Sequence, residues 1–366
     1  MNQIDKANWQ TTEDGRMLAP KTVALAVTMA LASPAVWAAE PFAPEIPGYA
    51  QMANANTEMI YTNIGSLHQR VGENQVMAWD DCSQCQNQVD AQTWGRLYGK
   101  RLKQTGKEQF DSDISMYGFQ LGQDLSINVD EATGSRRHTG IMASYGYGKT
   151  KFFDQKGAHH EDEKTGTAKS HLGSLGLYST TYAKNGTYLD LVGQVNYVRN
   201  KYKLEEGDGS VKQNGYGAAL SAEIGRPFQL GESRWLVEPQ AQLTYQYLRL
   251  KDPKDDALDV DQKNTHAVRG RLGARLAYNA PTEAFRTKTF YTSFNVLHDF
   301  IKPAKVNLEG VALRERYGNT WGEVAVGMQL PIAKSAYLYA DARYEHSFDG
   351  AKREGYGGTL GLKHMW

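Results

Sequence analysis

Cys82 and Cys85, in DCSQC, are the residues whose spacing first suggests chemistry. A CxxC can exchange thiols, supply half of a metal site or close a local disulfide. Thiol exchange or metal binding needs company, a βαβ pattern or a second CxxC, and neither is present. A disulfide is the expectation if the chain is exported. His159, His160 and Glu161, in HHEDEK, could ligate a metal or serve hydrolysis, as could Asp255 and Asp256 in KDPKDDALDVDQKNT. Both groups sit in charge runs, whose ordinary place is a solvated loop. No catalytic residue, cofactor or metal site is therefore expected. A third group is different in kind. Arg269, Arg271 and Arg275 fall on alternate positions of RGRLGAR, so an extended chain would stack them on one face. Inside an enclosure they could pair with Asp190, Glu238, Asp341 or Glu345, or with Glu58.

Those arginines need an element to hold them. From Gln92 onward, segments of about ten residues alternate apolar and polar side chains, the period of a strand with two unlike faces. In 235–250, Trp235, Val237, Ala241, Leu243, Tyr245 and Tyr247 oppose Glu238, Gln240, Gln242, Thr244 and Gln246. In 189–200, Leu189, Leu191, Val195 and Tyr197 oppose Asp190, Gln194, Asn196 and Asn200. In 268–276, Val268, Leu272, Ala274 and Leu276 oppose the arginines; in 338–345, Leu338, Ala340, Ala342 and Tyr344 oppose Asp341, Arg343 and Glu345. Trp94, Arg96, Tyr98 and Lys100 share a face of the first segment.

About twelve such segments follow one another, an even number, near 92–101, 112–128, 137–153, 169–182, 187–203, 210–225, 235–250, 266–279, 289–300, 319–331, 335–349 and 355–366. Charged connections at 154–169, 251–265 and 302–319 alternate with short ones at 184–186 and 331–334. Long loops on one rim and short turns on the other is the pattern of an outer-membrane barrel. Arginines facing lipid there would cost several kcal/mol each, so they are expected to face the lumen.

Composition agrees. The 366 residues carry 41 basic and 41 acidic side chains, which argues against a nucleic-acid binder. Mean hydropathy is −0.58, with 36 Gly and 21 Tyr. No run after residue 40 is long and apolar enough for a transmembrane helix. TVALAVTMALASPA (22–35), preceded by Lys21 and followed by VWA, has the layout of a signal peptide cleaved after Ala38. Asp5, Glu13 and Asp14 fit a signal poorly, so residues 1–16 are expected to be a mis-set start or a remnant, with Met17 the more ordinary beginning. The expected divisions are 1–38, a signal-like segment; 39–91, a helix and connector; and 92–366, the barrel.

Residues 48–72, GYAQMANANTEMIYTNIGSLHQRVG, form the expected helix, with Pro47 at its start and no internal breaker before Gly65. Gln51, Asn54, Asn56, Glu58, Asn63, His68, Gln69 and Arg70 spread around it. Such a helix needs a polar enclosure rather than lipid or a one-sided core. The fold expected is all-β: an antiparallel transmembrane β-barrel of about twelve strands with an N-terminal α-helix inside the pore.

From about Glu45 to Trp366 the sequence resembles the C-terminal translocator domain of bacterial autotransporters, the type V secretion barrels. SLHQRVGE, TWGRLYGK, FQLGQDL, EPQAQLTYQY, RGRLGARLAY and the terminal GGTLGLKHMW carry the resemblance by order and spacing. It implies a twelve-stranded barrel, a helix in its pore, and export of an N-terminal passenger across the outer membrane of a Gram-negative bacterium. It implies outer-membrane lipid, periplasmic chaperones and the barrel-assembly machinery as partners. The last-strand signal read by that machinery falls on Leu360, Leu362 and Trp366, with His364 where the family usually has an apolar residue. Members that cut their passenger inside the barrel carry Asn-Asn where this chain, matched through QRVGE, has Gly65 and Ser66, so that cleavage is not expected. Fewer than ten residues separate Ala38 from the helix, which leaves the passenger absent or lost in this reading. The alternatives are a stand-alone porin or small-solute channel, with an open lumen, and an outer-membrane hydrolase using the His159–His160 loop.

Overall fold

Strand alternation produces a wall with two unlike faces, and such a wall must either cover one face or close on itself. It closes. The computed structural model describes residues 45–74, 91–155, 163–204, 210–253, 259–282, 287–300, 305–308, 311–348 and 352–366. Two helices, α1 (Ile46–Ile64) and α2 (Leu67–Val71), precede the strands. The strands are β1 (Gln92–Gln104), β2 (Phe110–Asp130), β3 (Ser135–Asp154), β4 (Glu163–Tyr182), β5 (Tyr188–Leu204), β6 (Ser210–Gly225), β7 (Phe228–Gln229) and β8 (Trp235–Leu250). They continue with β9 (Val260–Gln262), β10 (Thr265–Pro281), β11 (Thr287–Asp299), β12 (Lys305–Leu308), β13 (Val311–Arg314), β14 (Thr320–Ala333), β15 (Ala336–Ser347) and β16 (Arg353–Met365).

All these strands except β7, β9, β12 and β13 form a closed antiparallel barrel of 12 strands. The last pairs with the first, Met365 opposite Gln92, and β8 pairs with β10 to complete the ring. Among the described residues no long barrel edge is left unpaired, which is the condition for strands in hydrocarbon. Outward positions are apolar and exposed: Leu97, Phe119, Leu175, Leu191, Val195, Leu243, Leu272, Phe294 and Val326 among them. That belt runs around the barrel, far beyond the patch a soluble monomer exposes, and it faces lipid. No described helix is long and apolar enough to cross a membrane; the strands do so.

Two expectations change. Half of the 154–169 connection is ladder, because β3 runs to Asp154 and β4 begins at Glu163. A membrane strand needs only about 9–11 residues, whereas β2 has 21 and β3 and β4 have 20 each. The surplus stands beyond the lipid, where the outward face turns polar, as at Lys149, Lys151 and Lys169, and the lipid-facing signal is lost. The expected loops at 251–265 and 302–319 likewise contain β9, β12 and β13, which pair into a small sheet. Segment 1–38, Cys82 and Cys85, His159, His160 and Glu161, and Asp255 and Asp256 lie outside the described residues.

Candidate functional site

The lumen is occupied. Its contents follow from α1, whose N-terminal end lies at the rim of the long connections and whose C-terminal end points to the rim of the short turns. Pro47 sits in its first turn, where a missing N–H costs nothing. Here the expected polar enclosure gives way to an apolar one. Ile46, Tyr49, Met52, Ala53 and Ile60 pack on inward Leu102, Phe152, Val198, Tyr202, Leu248 and Leu250. Val260, Val306, Leu308 and Leu313 of the small outer sheet join the same cluster. Tyr49 meets Tyr202 edge-on at 5.2 Å. The outer connection at 315–319 also grips the helix. Glu315 accepts backbone N–H bonds from Glu108, Gln109 and Phe110, each 2.9 Å, and Tyr317 donates to Gln51 at 2.9 Å. Burial, with the carboxylates of Glu315 and Asp111 nearby, pushes the Tyr317 phenol well above its ordinary value, so it remains a donor.

Below this apolar collar the polar face of α1 finds partners on the wall. Asn56 and Asn200 exchange hydrogen bonds at 3.2 and 2.8 Å, and Asn63 donates to Ser174 at 3.2 Å. Glu58 sits among three cations: Arg269 at 2.6 Å, Arg353 at 3.0 Å and Lys100 at 3.8 Å. Asp299 holds Arg269 from the other side at 2.6 Å. Glu345 holds Lys100 at 2.8 Å and Arg353 at 3.1 Å. Three carboxylates thus balance three cations. The Trp321 ring lies 3.8 Å from the Arg353 guanidinium and 4.6 Å from that of Arg269. α1 packs mainly on β2–β5 and β8. Toward β10–β16 long side chains bridge the gap, leaving a cavity of about 80 Å³ lined in part by Lys100, Arg269, Arg271, Arg343 and Glu345.

The expected single helix is two, broken at Gly65. Gly65 has φ 63° and ψ −164°, a conformation restricted to glycine. Arg96 donates to the carbonyls of Asn63 and Ile64, placing a cation at the helix C-terminus where the dipole favours it. Ser66 then restarts α2 through a capping box with Gln69. Gln242 donates to the Gly65 carbonyl at 2.9 Å.

A second charged cluster lies at the turn rim. His68 faces Glu238 at 2.8 Å and Glu73 at 3.2 Å; Arg275 pairs with Glu73 and, at 3.3 Å, with Glu238. Arg70 meets Asp190 at 2.6 Å. Lys363 donates to the Glu73 carbonyl at 2.8 Å and to Asn74. Tyr339 lies over Gly361, where an added Cβ would come within 2.0 Å of its ring, and its hydroxyl donates to the Arg70 carbonyl.

The sequence-derived site residues fall as follows. Arg269, Arg271 and Arg275 are buried in the lumen with Glu238, Asp190 and Glu345; of the candidate partners, Arg269 meets Glu58 and Arg275 meets Glu238, while the others serve different cations. Asp190 serves Arg70 on α2; Asp341 pairs with Arg343 two residues away; Glu345 serves Lys100 and Arg353. Arg271 reaches Glu223 at 3.1 Å. Strand alternation sets a face but says nothing about height in the barrel or distance across it. Leu360, Leu362 and Trp366 are exposed on the outer wall. Arg353, Lys363, Glu223, Glu73 and Asp299 were not singled out from the sequence. Lys363 alternates with Leu360 and Leu362 in the last strand, a signal for the lumen face; nothing local marks the others.

The Autotransporter beta-domain family model matches residues 93–343. The pertactin autotransporter of Bordetella parapertussis is 28% identical over 290 residues, covering 78% of this chain and 29% of that protein. Autotransporter CRAC of Citrobacter rodentium is 26% identical over 262 residues, 69% of this chain and 15% of its own length. The chain therefore spans less than a third of either relative. The transport unit of the autotransporter AIDA-I from Escherichia coli superposes with a TM-score of 0.63 at 16% identity, covering 89% of this chain and 100% of that one. The translocator domain of autotransporter NalP from Neisseria meningitidis gives 0.58 at 13% identity, covering 87% and 99%. At these identities the structural likeness is one of fold.

Proposed function

The chain belongs to the Autotransporter beta-domain family, outer-membrane translocator barrels of Gram-negative bacteria, and from that premise we propose that its lumen passes an upstream polypeptide outward and afterwards holds α1–α2 as plug and anchor. The carrying observation is the fit between helix and wall. Glu58, His68, Arg70 and Glu73 each meet a lumen charge, and the outer half packs on an apolar collar. The N-terminal end of α1 faces the rim of the long connections, which is the extracellular rim in such barrels, so upstream chain would emerge there. Closed pairing leaves no backbone group unsatisfied in lipid. The protein contributes no chemistry of its own in this reading. The barrel-assembly machinery would read Leu360, Leu362 and Trp366, and periplasmic chaperones would deliver the chain after a signal peptide ending at Ala38. A porin or small-solute channel is less favoured because the lumen is filled.

Planar-bilayer conductance tests the plug. The full chain should hold a nearly closed state, and a chain lacking residues 45–74 a large steady conductance. Equal, large conductance from both would remove the plug and restore the porin reading. The N-terminal peptide of protein recovered from the outer membrane tests export: a start at Ala39 supports the signal peptide, and a retained residue 1 removes it.

A further inference from the structure

The outward face of β3–β6 carries a feature that lumen pairing does not explain. Lys149 stands opposite Lys169, Lys169 opposite Lys201, and Lys201 opposite Lys212. One row across adjacent strands thus bears a lysine at each position, and all are exposed. Like charges directly opposite each other destabilise a sheet. Lys151 and Lys203 flank Thr167 in the next row toward the loops. Arg199 lies in the next row toward the turns, beside His171. None of these seven cations forms an ion pair with another described residue, whereas Arg70, Arg269, Arg271, Arg275, Arg343 and Arg353 in the lumen each meet a carboxylate. The barrel tolerates the row, so an anionic partner is expected outside the protein.

The height of the row says which partner. The Arg199 row also holds Tyr117, Tyr147 and His171, with ring centroids 5.2 Å apart for the tyrosines and 5.3 Å for Tyr147 and His171. One row lower, the Tyr145 hydroxyl meets His171 Nδ1 at 2.6 Å. This is an aromatic girdle of the kind that sits at the membrane interface. Below it the outward positions are Leu175, Leu177, Leu191 and Val195. From Ser179 up to Lys169 is ten residues of β4, about 25 Å in height at a strand rise of ~3.3 Å and the usual tilt. That equals the apolar band of such barrels. The lysines therefore begin where hydrocarbon ends. Strand tilt raises one end of the row about 10 Å above the other, so the cations span the headgroup layer.

We propose that Lys149, Lys169, Lys201 and Lys212, with Arg199, Lys151 and Lys203 around them, form a docking surface for the phosphorylated headgroup of a glycolipid in the outward-facing leaflet. The girdle stacks against the sugar and acyl boundary, and the lysines neutralise the phosphates. The inference rests on the outer-membrane reading of the barrel but not on export or on the plug.

The test compares the full chain with a variant carrying Lys149→Gln, Lys169→Gln, Lys201→Gln and Lys212→Gln, each folded in zwitterionic nanodiscs. The probes are bisphosphorylated lipid A, its dephosphorylated form and inorganic phosphate. A basic residue near an anionic headgroup strengthens binding about five-fold, so the variant should bind bisphosphorylated lipid A at least ten-fold more weakly. Wild-type binding should weaken with salt, and its thermal midpoint should rise with that lipid alone. In zwitterionic lipid the variant should be at least as stable as wild type, since the like-charge row is gone, which separates loss of binding from misfolding. Equal binding of both proteins, or equal binding of the dephosphorylated lipid, overturns the proposal. A matching shift with inorganic phosphate overturns the lipid as partner. A variant that binds normally while conductance and export are unaltered fails this inference and leaves the translocator reading intact.

Discussion

Glu58→Gln is the substitution that asks most of the lumen. Glu58 is 1% exposed and contacts Arg269, Arg353 and Lys100, with Glu345 and Asp299 completing a neutral cluster. Glutamine keeps the shape and removes one charge, leaving three cations against two carboxylates. Removing one partner of a buried pair costs about 3–5 kcal/mol, because the remaining charge is stranded. Lys100 and Arg269 keep 12% and 9% of their side-chain surface exposed, so the lower end, about 3 kcal/mol, applies. The cost falls on the docked helix rather than on the strand ladder, since Glu58 lies on α1 and the barrel pairs without it. At ~1.4 kcal/mol per decade, the undocked population should rise about 100-fold. Two assays read that population. One is the fraction of time a single barrel conducts in a planar bilayer. The other is the rate of protease clipping at Arg70, which follows the open population when reclosing is faster than cleavage. Both ratios should agree near 100. Adding Arg353→Gln should recover part of the loss, because one stranded cation is then gone; the cycle isolates the pair. An open fraction within about three-fold of wild type, with unchanged clipping, would refute the view that this cluster holds the helix.

Other substitutions probe the remaining walls. Leu243→Arg places a charge in the lipid belt and should cost about 2–4 kcal/mol, read as lost membrane insertion with Leu243→Phe near wild type; insertion of the arginine variant at wild-type yield would reverse the facing of β8. Gln242→Arg, on the opposite face, would be harmless by alternation alone. The structure predicts otherwise, because Gln242 accepts from Arg271 Nε at 3.0 Å and donates to Gly65, so this variant should insert but conduct more. Gly65→Ala meets a glycine-only conformation and Arg96 Nη1 at 2.7 Å, at a cost of about 1–3 kcal/mol. It should raise protease clipping in 65–71 about ten-fold while heat-resistant barrel migration is unchanged. Trp366→Ala should lower the yield of assembled barrel in cells severalfold with little change in refolding in detergent, because its exposed indole makes one hydrogen bond, to Thr93; equal losses in both settings would make it a stability residue instead.

Much of the architecture was legible along the chain, because a strand repeats every two residues and each of its faces must suit one environment. Leu189, Leu191 and Val195 against Asp190, Gln194 and Asn196 assign lipid and lumen without reference to any other strand. Arginines at 269, 271 and 275 cannot face hydrocarbon, so their side follows from composition. A helix with polar residues on all sides requires an enclosure, and the strands supply one. The pairing inside that enclosure was legible only as a set of candidates, from which the barrel selects Arg269–Glu58 and Arg275–Glu238. Glu58 meets Arg269 and Arg353 across 211 and 295 residues of chain, a relation set by strand order, tilt and register together. The apolar collar formed by Ile46, Phe152, Val198 and Leu250 breaks the polar-inside rule, because a helix end and an outer sheet exclude water there. The carbonyls freed by the break at Gly65 are met by Arg96, which reaches the helix from another element. The lysine row is the sharpest case. Lys149, Lys169, Lys201 and Lys212 are unremarkable one at a time along the sequence, and only strand register places them side by side. Local periodicity is set by backbone geometry that every residue carries with it. Charge pairing depends on distances that exist only once the barrel has closed.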